Sequence, residues 1–170
     1  PYTMEYLIRN NGSIIVTGSI DLTGTRLPEL PRFGMRMELQ QSYENLTYYG
    51  RGPLENYIDR YSSSFIGRYE DKVENQFYWY IRPQETGNKT DVRWLALLNS
   101  EGEGVKITGL QPIAFSALHF SPEDLDPGLT RKLQHTIDIV PQKNIFLHVD
   151  LKQRGLGGDN SWGMYPYNKY

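Results

Sequence analysis

The run Asn144-Ile-Phe-Leu-His-Val-Asp-Leu-Lys152 puts Ile145, Leu147, Val149 and Leu151 on one face and Phe146, His148 and Asp150 on the other. Side chains in a strand repeat every second residue, so this alternation predicts a half-buried β-strand. The same period recurs outward from it. Ile14, Val16, Ile20 and Leu22 alternate with Ile15, Thr17, Ser19 and Asp21, and Met35, Met37 and Leu39 alternate with Arg36, Glu38 and Gln40. Further strands are expected at 43–49, 65–73, 92–99, 105–110, 113–119 and 134–140. Roughly nine or ten strands are enough for an all-β antiparallel β-sandwich of two packed sheets. Composition agrees: 13 Tyr, 6 Phe and 3 Trp with 16 Gly and 10 Pro describe short strands joined by tight turns.

Turns are marked at Asn10-Asn-Gly12, Gly24, Thr86-Gly-Asn88, Glu101-Gly-Glu-Gly104 and Pro141-Gln-Lys-Asn144. One helix signal stands among them. Ser121-Pro-Glu-Asp124 offers an N-cap, a proline at the first helical position and acids in the first turn, while Leu125-Asp-Pro127-Gly128 ends it, so a short helix is expected near 121–127.

The 170 residues carry 18 Lys+Arg against 20 Asp+Glu, for a net charge of -2 with both signs interspersed. That excludes a nucleic-acid footprint or an attraction to anionic membranes. No apolar run reaches the ~20 residues of a membrane span, and no leader opens the chain, so a soluble protein is expected. The length suits a single domain over residues 1–170. Without cysteine there is no disulfide, thiolate metal site or Cys nucleophile. Asn45-Leu-Thr47 and Asn88-Lys-Thr90 match the glycosylation sequon, which chance supplies often.

Past the 144–152 strand, Gly155-Leu-Gly-Gly-Asp-Asn-Ser-Trp162 sets an indole at the end of a glycine-rich loop. The flat ring suits the C–H face of a sugar while its N–H can still donate; the alternative is a lid folded over the sheet edge. A second dense motif, Tyr48-Tyr-Gly-Arg-Gly-Pro-Leu-Glu-Asn-Tyr-Ile-Asp-Arg60, supplies Arg51, Glu55, Asn56, Asp59 and Arg60. Arg–carboxylate pairs of this kind pin long turns against a sheet, and bracing is the expected role. Glu55 and Asp59 as an acid–base pair are disfavoured, because Arg51 and Arg60 beside them lower carboxyl pKa values where a general acid needs them raised. His119, His135 and His148 lie singly on expected strands, without metal-ligand spacing, and read as structural; His119 at a strand end is the strongest exception. Arg82-Pro-Gln-Glu85-Thr-Gly87 reads as a hairpin brace. No nucleophile elbow, phosphate loop or dinucleotide fingerprint occurs.

Four of these motifs in order resemble the C-terminal domain of the large bacterial β-galactosidases of glycoside hydrolase family two. They are Leu30-Pro-Arg-Phe-Gly34, Tyr49-Gly-Arg-Gly-Pro-Leu-Glu-Asn-Tyr57 with Asp59-Arg60, Pro83-Gln-Glu-Thr-Gly87, and the loop ending in Trp162. The resemblance implies a β-supersandwich similar to galactose mutarotase, as a fragment of a larger bacterial enzyme that is cytoplasmic or periplasmic. It further implies that Trp162 packs on the galactoside in an active site held by a neighbouring (β/α)8 barrel, with Asp159 and Asn160 shaping the loop. The catalytic glutamates belong to that barrel. Retaining hydrolysis needs two carboxyls about 5 Å apart across the sugar, so no catalytic residue is assigned here. A last strand after the Trp162 loop is expected to be missing. Expected partners are the galactoside and the other domains of the same polypeptide. A homo-oligomer and cation binding by the parent, divalent or monovalent, are left open; this chain itself is assigned no cofactor and no metal. The rival readings are a stand-alone carbohydrate-binding module and an aldose-epimerase-like enzyme using His119 with a carboxylate.

Overall fold

The structure is a computed structural model that describes residues 1–24, 26, 29–126, 128, 134–160 and 162–170. It divides into two compact units, Pro1–Leu30 and Pro31–Tyr170. In the first, β1 (Tyr2–Ile8) pairs antiparallel with β2 (Ile14–Ile20). The Asn10-Asn-Gly12 turn joins them, with Gly12 at φ 80°, a backbone angle that glycine adopts without cost.

The second unit is one antiparallel sheet of β3 (Arg32–Leu39), β4 (Asn45–Gly52), β5 (Phe65–Lys72), β6 (Lys89–Leu98), β7 (Gly104–Leu118) and β8 (Ile145–Gln153), in the order β3-β8-β7-β6-β4-β5. The chain is thus all-β and antiparallel. The alternation in β8 decides what each face carries. Val149 lies beside Met35 and Phe115, and Leu147 beside Met37 and Ala117, so rows of apolar side chains cross the sheet. Leu46, Tyr48, Leu95 and Leu97 continue the same core. On the opposite face Phe146, His148 and Asp150 stand beside Leu118, Ser116 and Ala114 of β7.

Three expectations are corrected. The first strand, Tyr2–Ile8, was not expected. The strands expected at 105–110 and 113–119 are one continuous strand, Gly104–Leu118, whose register against β6 shifts along its length. Described residues of the expected 134–140 strand instead form a 3-10 turn at Thr136–Asp138, because the Asp138 carboxylate accepts from the His135 N–H at 2.8 Å and closes the backbone locally. The expected helix is present as α1, Pro122–Leu125, with Ser121 and Asp124 forming a reciprocal capping box; Pro127 lies outside the described residues. Among the described residues no helix is long and apolar enough to cross a membrane.

The long connection after β4 is tied down by Asn56, which is buried to 1% exposure. Its amide donates to the Arg51 and Leu54 carbonyls at 3.0 and 2.9 Å, and its oxygen accepts from the Thr90 N–H at 2.9 Å. Its own backbone exchanges bonds with Asn88. Asn88 is equally buried, so its sequon is no glycosylation acceptor. Asn56→Ala strands several buried partners at once and is expected to cost at least about 2 kcal/mol, measured by urea unfolding. A loss under 0.5 kcal/mol, on the scale of an ordinary surface substitution, contradicts the bracing role.

Candidate functional site

The loop after β8 is shaped by close backbone approach. Gly157 and Gly158 have φ of 68° and 79°, and Gly163 has 78°. A Cβ on Gly157 would lie 2.5 Å from the Met164 carbonyl oxygen, and one on Gly155 would lie 2.5 Å from Asp59 Oδ2. That same Asp59 oxygen accepts from the Gly157 N–H at 2.9 Å. The Gly158 N–H donates to the Met164 carbonyl at 2.8 Å, so the chain folds back under the loop.

Trp162 projects from this base with 92% of its surface exposed and is not packed as a lid. Asn160 accepts the Trp162 N–H on its side-chain oxygen at 2.8 Å, a short local bond that fixes the direction of the chain at the indole. Asp159 is exposed and, among the described residues, makes no hydrogen bond. An exposed, unpartnered indole beside a clamped backbone can cover an apolar ring face; it cannot by itself move a proton.

The 48–60 motif braces. Arg51 forks onto Asp91 Oδ2 at 2.9 and 2.7 Å, donates to the Ser64 carbonyl, and lies over the Tyr61 ring. Glu55 accepts from the Tyr80 hydroxyl, from Thr86, and from the Gly87 N–H at 2.7 Å, with Arg60 at 3.4 Å. A carboxylate consumed by so many donors is a tether; Asp59 instead spends one oxygen on the Gly157 N–H of the Trp162 loop, while its Oδ1 is buried without a hydrogen-bond partner among the described residues. The two are therefore not an acid–base pair.

His119 faces an acceptor at each ring nitrogen, the Glu44 carboxylate at 2.9 Å from Nε2 and the Asn144 carbonyl at 3.1 Å from Nδ1. The histidine that faces a cavity is instead His148, for which the sequence pattern suggests only a structural role. Its Nδ1 lies 2.6 Å from Arg32 Nη1. Arg32 also meets Glu85 at 2.9 Å and approaches the buried Asp150 to 3.7 Å. Gly34 makes room for Asp150, since a Cβ there would lie 2.4 Å from its Oδ1. Burial holds the His148 imidazole down at about 4, with Arg32 and Arg36 adding to the effect. Burial pushes the Asp150 carboxyl up to about 6 against the pull of Arg32. Among the described residues no group of three or more His, Asp or Glu converges as a metal site.

The family model described as beta galactosidase small chain matches residues 1–170. The chain belongs to that family. β-Galactosidases of Priestia megaterium, Halalkalibacterium halodurans and Streptococcus thermophilus are 36%, 31% and 32% identical to it over 97–98% of its length. It spans 16% of the length of each of those curated relatives.

The two perturbed groups of this chain tie its stability to pH in opposite senses. The unfolded chain protonates His148 below about 6.5 and the folded chain only below about 4, so His148 lowers stability as pH falls through that window. The unfolded chain releases the Asp150 proton near 3.8 and the folded chain near 6, so Asp150 lowers stability as pH rises between them. The slopes oppose each other. Asp150→Asn removes one of them and is expected to give a stability that climbs more steeply than wild type from pH 4 to 6, followed by urea unfolding. Parallel curves for the two proteins contradict the assignment.

Proposed function

We propose that residues 1–170 are a section of the C-terminal β-sandwich domain of a larger β-galactosidase, and that this section presents Trp162 to the galactoside. The catalytic carboxylates lie elsewhere in that polypeptide, and residues 1–170 alone do not hydrolyse galactosides. The observation that carries the reading is the indole itself: 92% exposed at the end of a loop whose base is held by the Asp59 carboxylate. Ordinary globular packing would bury so large an apolar ring, and a stacking platform needs it open on at least one face. Asn160 sets the loop direction beneath it through the Trp162 N–H. Asp159 contributes at the loop surface. The family match and the β-galactosidase relatives support galactosides as the substrate class.

In the intact polypeptide, Trp162→Ala is expected to raise KM for galactosides about tenfold or more, with a smaller fall in kcat, and Trp162→Phe to recover part of the loss because it restores a ring face. Steady-state kinetics on an aryl β-galactoside measures both. Unchanged kinetics in Trp162→Ala contradicts the role.

A further inference from the structure

On the sheet face opposite the main core, a cavity of about 210 Å³ opens among Arg32, Glu85, Ser116, Phe120, Phe146 and His148. It is smaller than the roughly 300–1,000 Å³ of pockets for drug-sized ligands, so its capacity is one small ring. Register fixes its floor. His148 lies between Arg36 of β3 and Ser116 of β7, and Phe146 lies beside Leu118 in the next row of the same face.

The chemistry of the lining restricts the occupant. Arg32 can only donate, so His148 Nδ1 at 2.6 Å must be the accepting lone pair, which leaves the proton of the neutral ring on Nε2. Among the described residues that Nε2–H has no hydrogen-bond partner, although His148 is half-buried. Asp150 Oδ2, buried beside Arg32, likewise has none. Arg32 shares its charge between Glu85 and Asp150, and Asp126 stands at the rim. An anion would face two carboxylates; a cation would face the guanidinium. A neutral molecule carrying both donors and acceptors avoids each cost. The walls are Phe120, Phe146 and Leu118, with Phe120 and Leu118 part of a packed apolar cluster, so one side of that molecule must be apolar. Flat C–H faces edged with hydroxyls describe a pyranose.

We propose that this cavity binds one neutral monosaccharide, with His148 and Glu85 contacting its hydroxyls and Phe146 its C–H face. None of these residues belongs to the Trp162 loop. The proposal therefore does not depend on the role given to Trp162, and its test reads bound sugar rather than hydrolysis.

Equilibrium dialysis of the intact polypeptide against labelled D-galactose is compared for wild type and His148→Phe, which keeps a ring in place but removes both nitrogens. Wild type is expected to bind one more galactose per chain than the variant at the same free concentration. Equal stoichiometry overturns the proposal. Should His148→Phe fold poorly, wild-type crystals soaked with D-galactose decide: a pyranose against Phe146 with a hydroxyl on His148 Nε2 supports it, and a side chain from elsewhere in the polypeptide filling the cavity overturns it. Sugar in the crystal together with equal stoichiometry of folded proteins in solution marks binding at crystal concentration only, and also overturns it.

Discussion

The Asp59 carboxylate accepts the Gly157 N–H at 2.9 Å while the Gly155 backbone presses against the same oxygen so closely that no side chain could stand there. On this contact the presentation of Trp162 depends. Among its described residues the loop has three positive-φ glycines and no helix or strand, so without a fixed point at its base the indole would sample many directions. A half-buried carboxylate bonded to a backbone N–H supplies that point with a charge-assisted bond, stronger than a neutral one. The glycines serve two purposes here: they permit the backbone angles, and they let the carboxylate and the returning chain at Met164 come close.

Asp59 is itself held. It follows Glu55 and Asn56, whose bonds to Gly87, Thr90 and Asn88 bind the connection after β4 to the start of β6. One residue before Thr86, Glu85 reaches Arg32 at the start of β3, and Arg32 leans on His148 and Asp150 of β8. Segments far apart in sequence thus form one line of polar contacts from β3 to the Trp162 loop. Each link uses buried or half-buried groups, where removing one partner leaves another unsatisfied at a cost of about 1–3 kcal/mol. Such a line transmits position: β8 ends where the loop begins, and the same strand carries His148 and Asp150.

Much of the sheet was legible from strand alternation, although β8 is buried on both faces, with Phe146 and Asp150 buried as well as Leu147 and Val149. The alternations at Met35–Leu39 and Ile145–Leu151 predict which side chains enter the core, and the β8 register bears this out residue for residue up to Val149; Leu151 is exposed. The failures have local causes. At 134–140 a carboxylate captures a backbone N–H and outcompetes strand pairing. At 105–118 the expected break at Gln111-Pro112 lies within a continuous strand, whose register against β6 shifts there instead of ending it. The cavity was not legible at all, since Arg32, Glu85 and His148 share no period and no motif; only the pairing of β3 with β8 brings two of them together. Trp162 stood out by its glycine-rich setting, but Asp59 as its anchor did not, because nothing in a sequence says which distant carboxylate a loop will find.

The claim that Asp59 acts on substrate through Trp162 has a direct measurement in a double-mutant cycle on kcat/KM for galactoside hydrolysis in the intact polypeptide, with Asp59→Ala, Trp162→Ala and the pair. If the carboxylate works by positioning the indole, Asp59→Ala is costly in the wild-type background and nearly neutral once Trp162 is gone, a coupling of at least about 0.5 kcal/mol. Additive losses from the two substitutions would contradict the account.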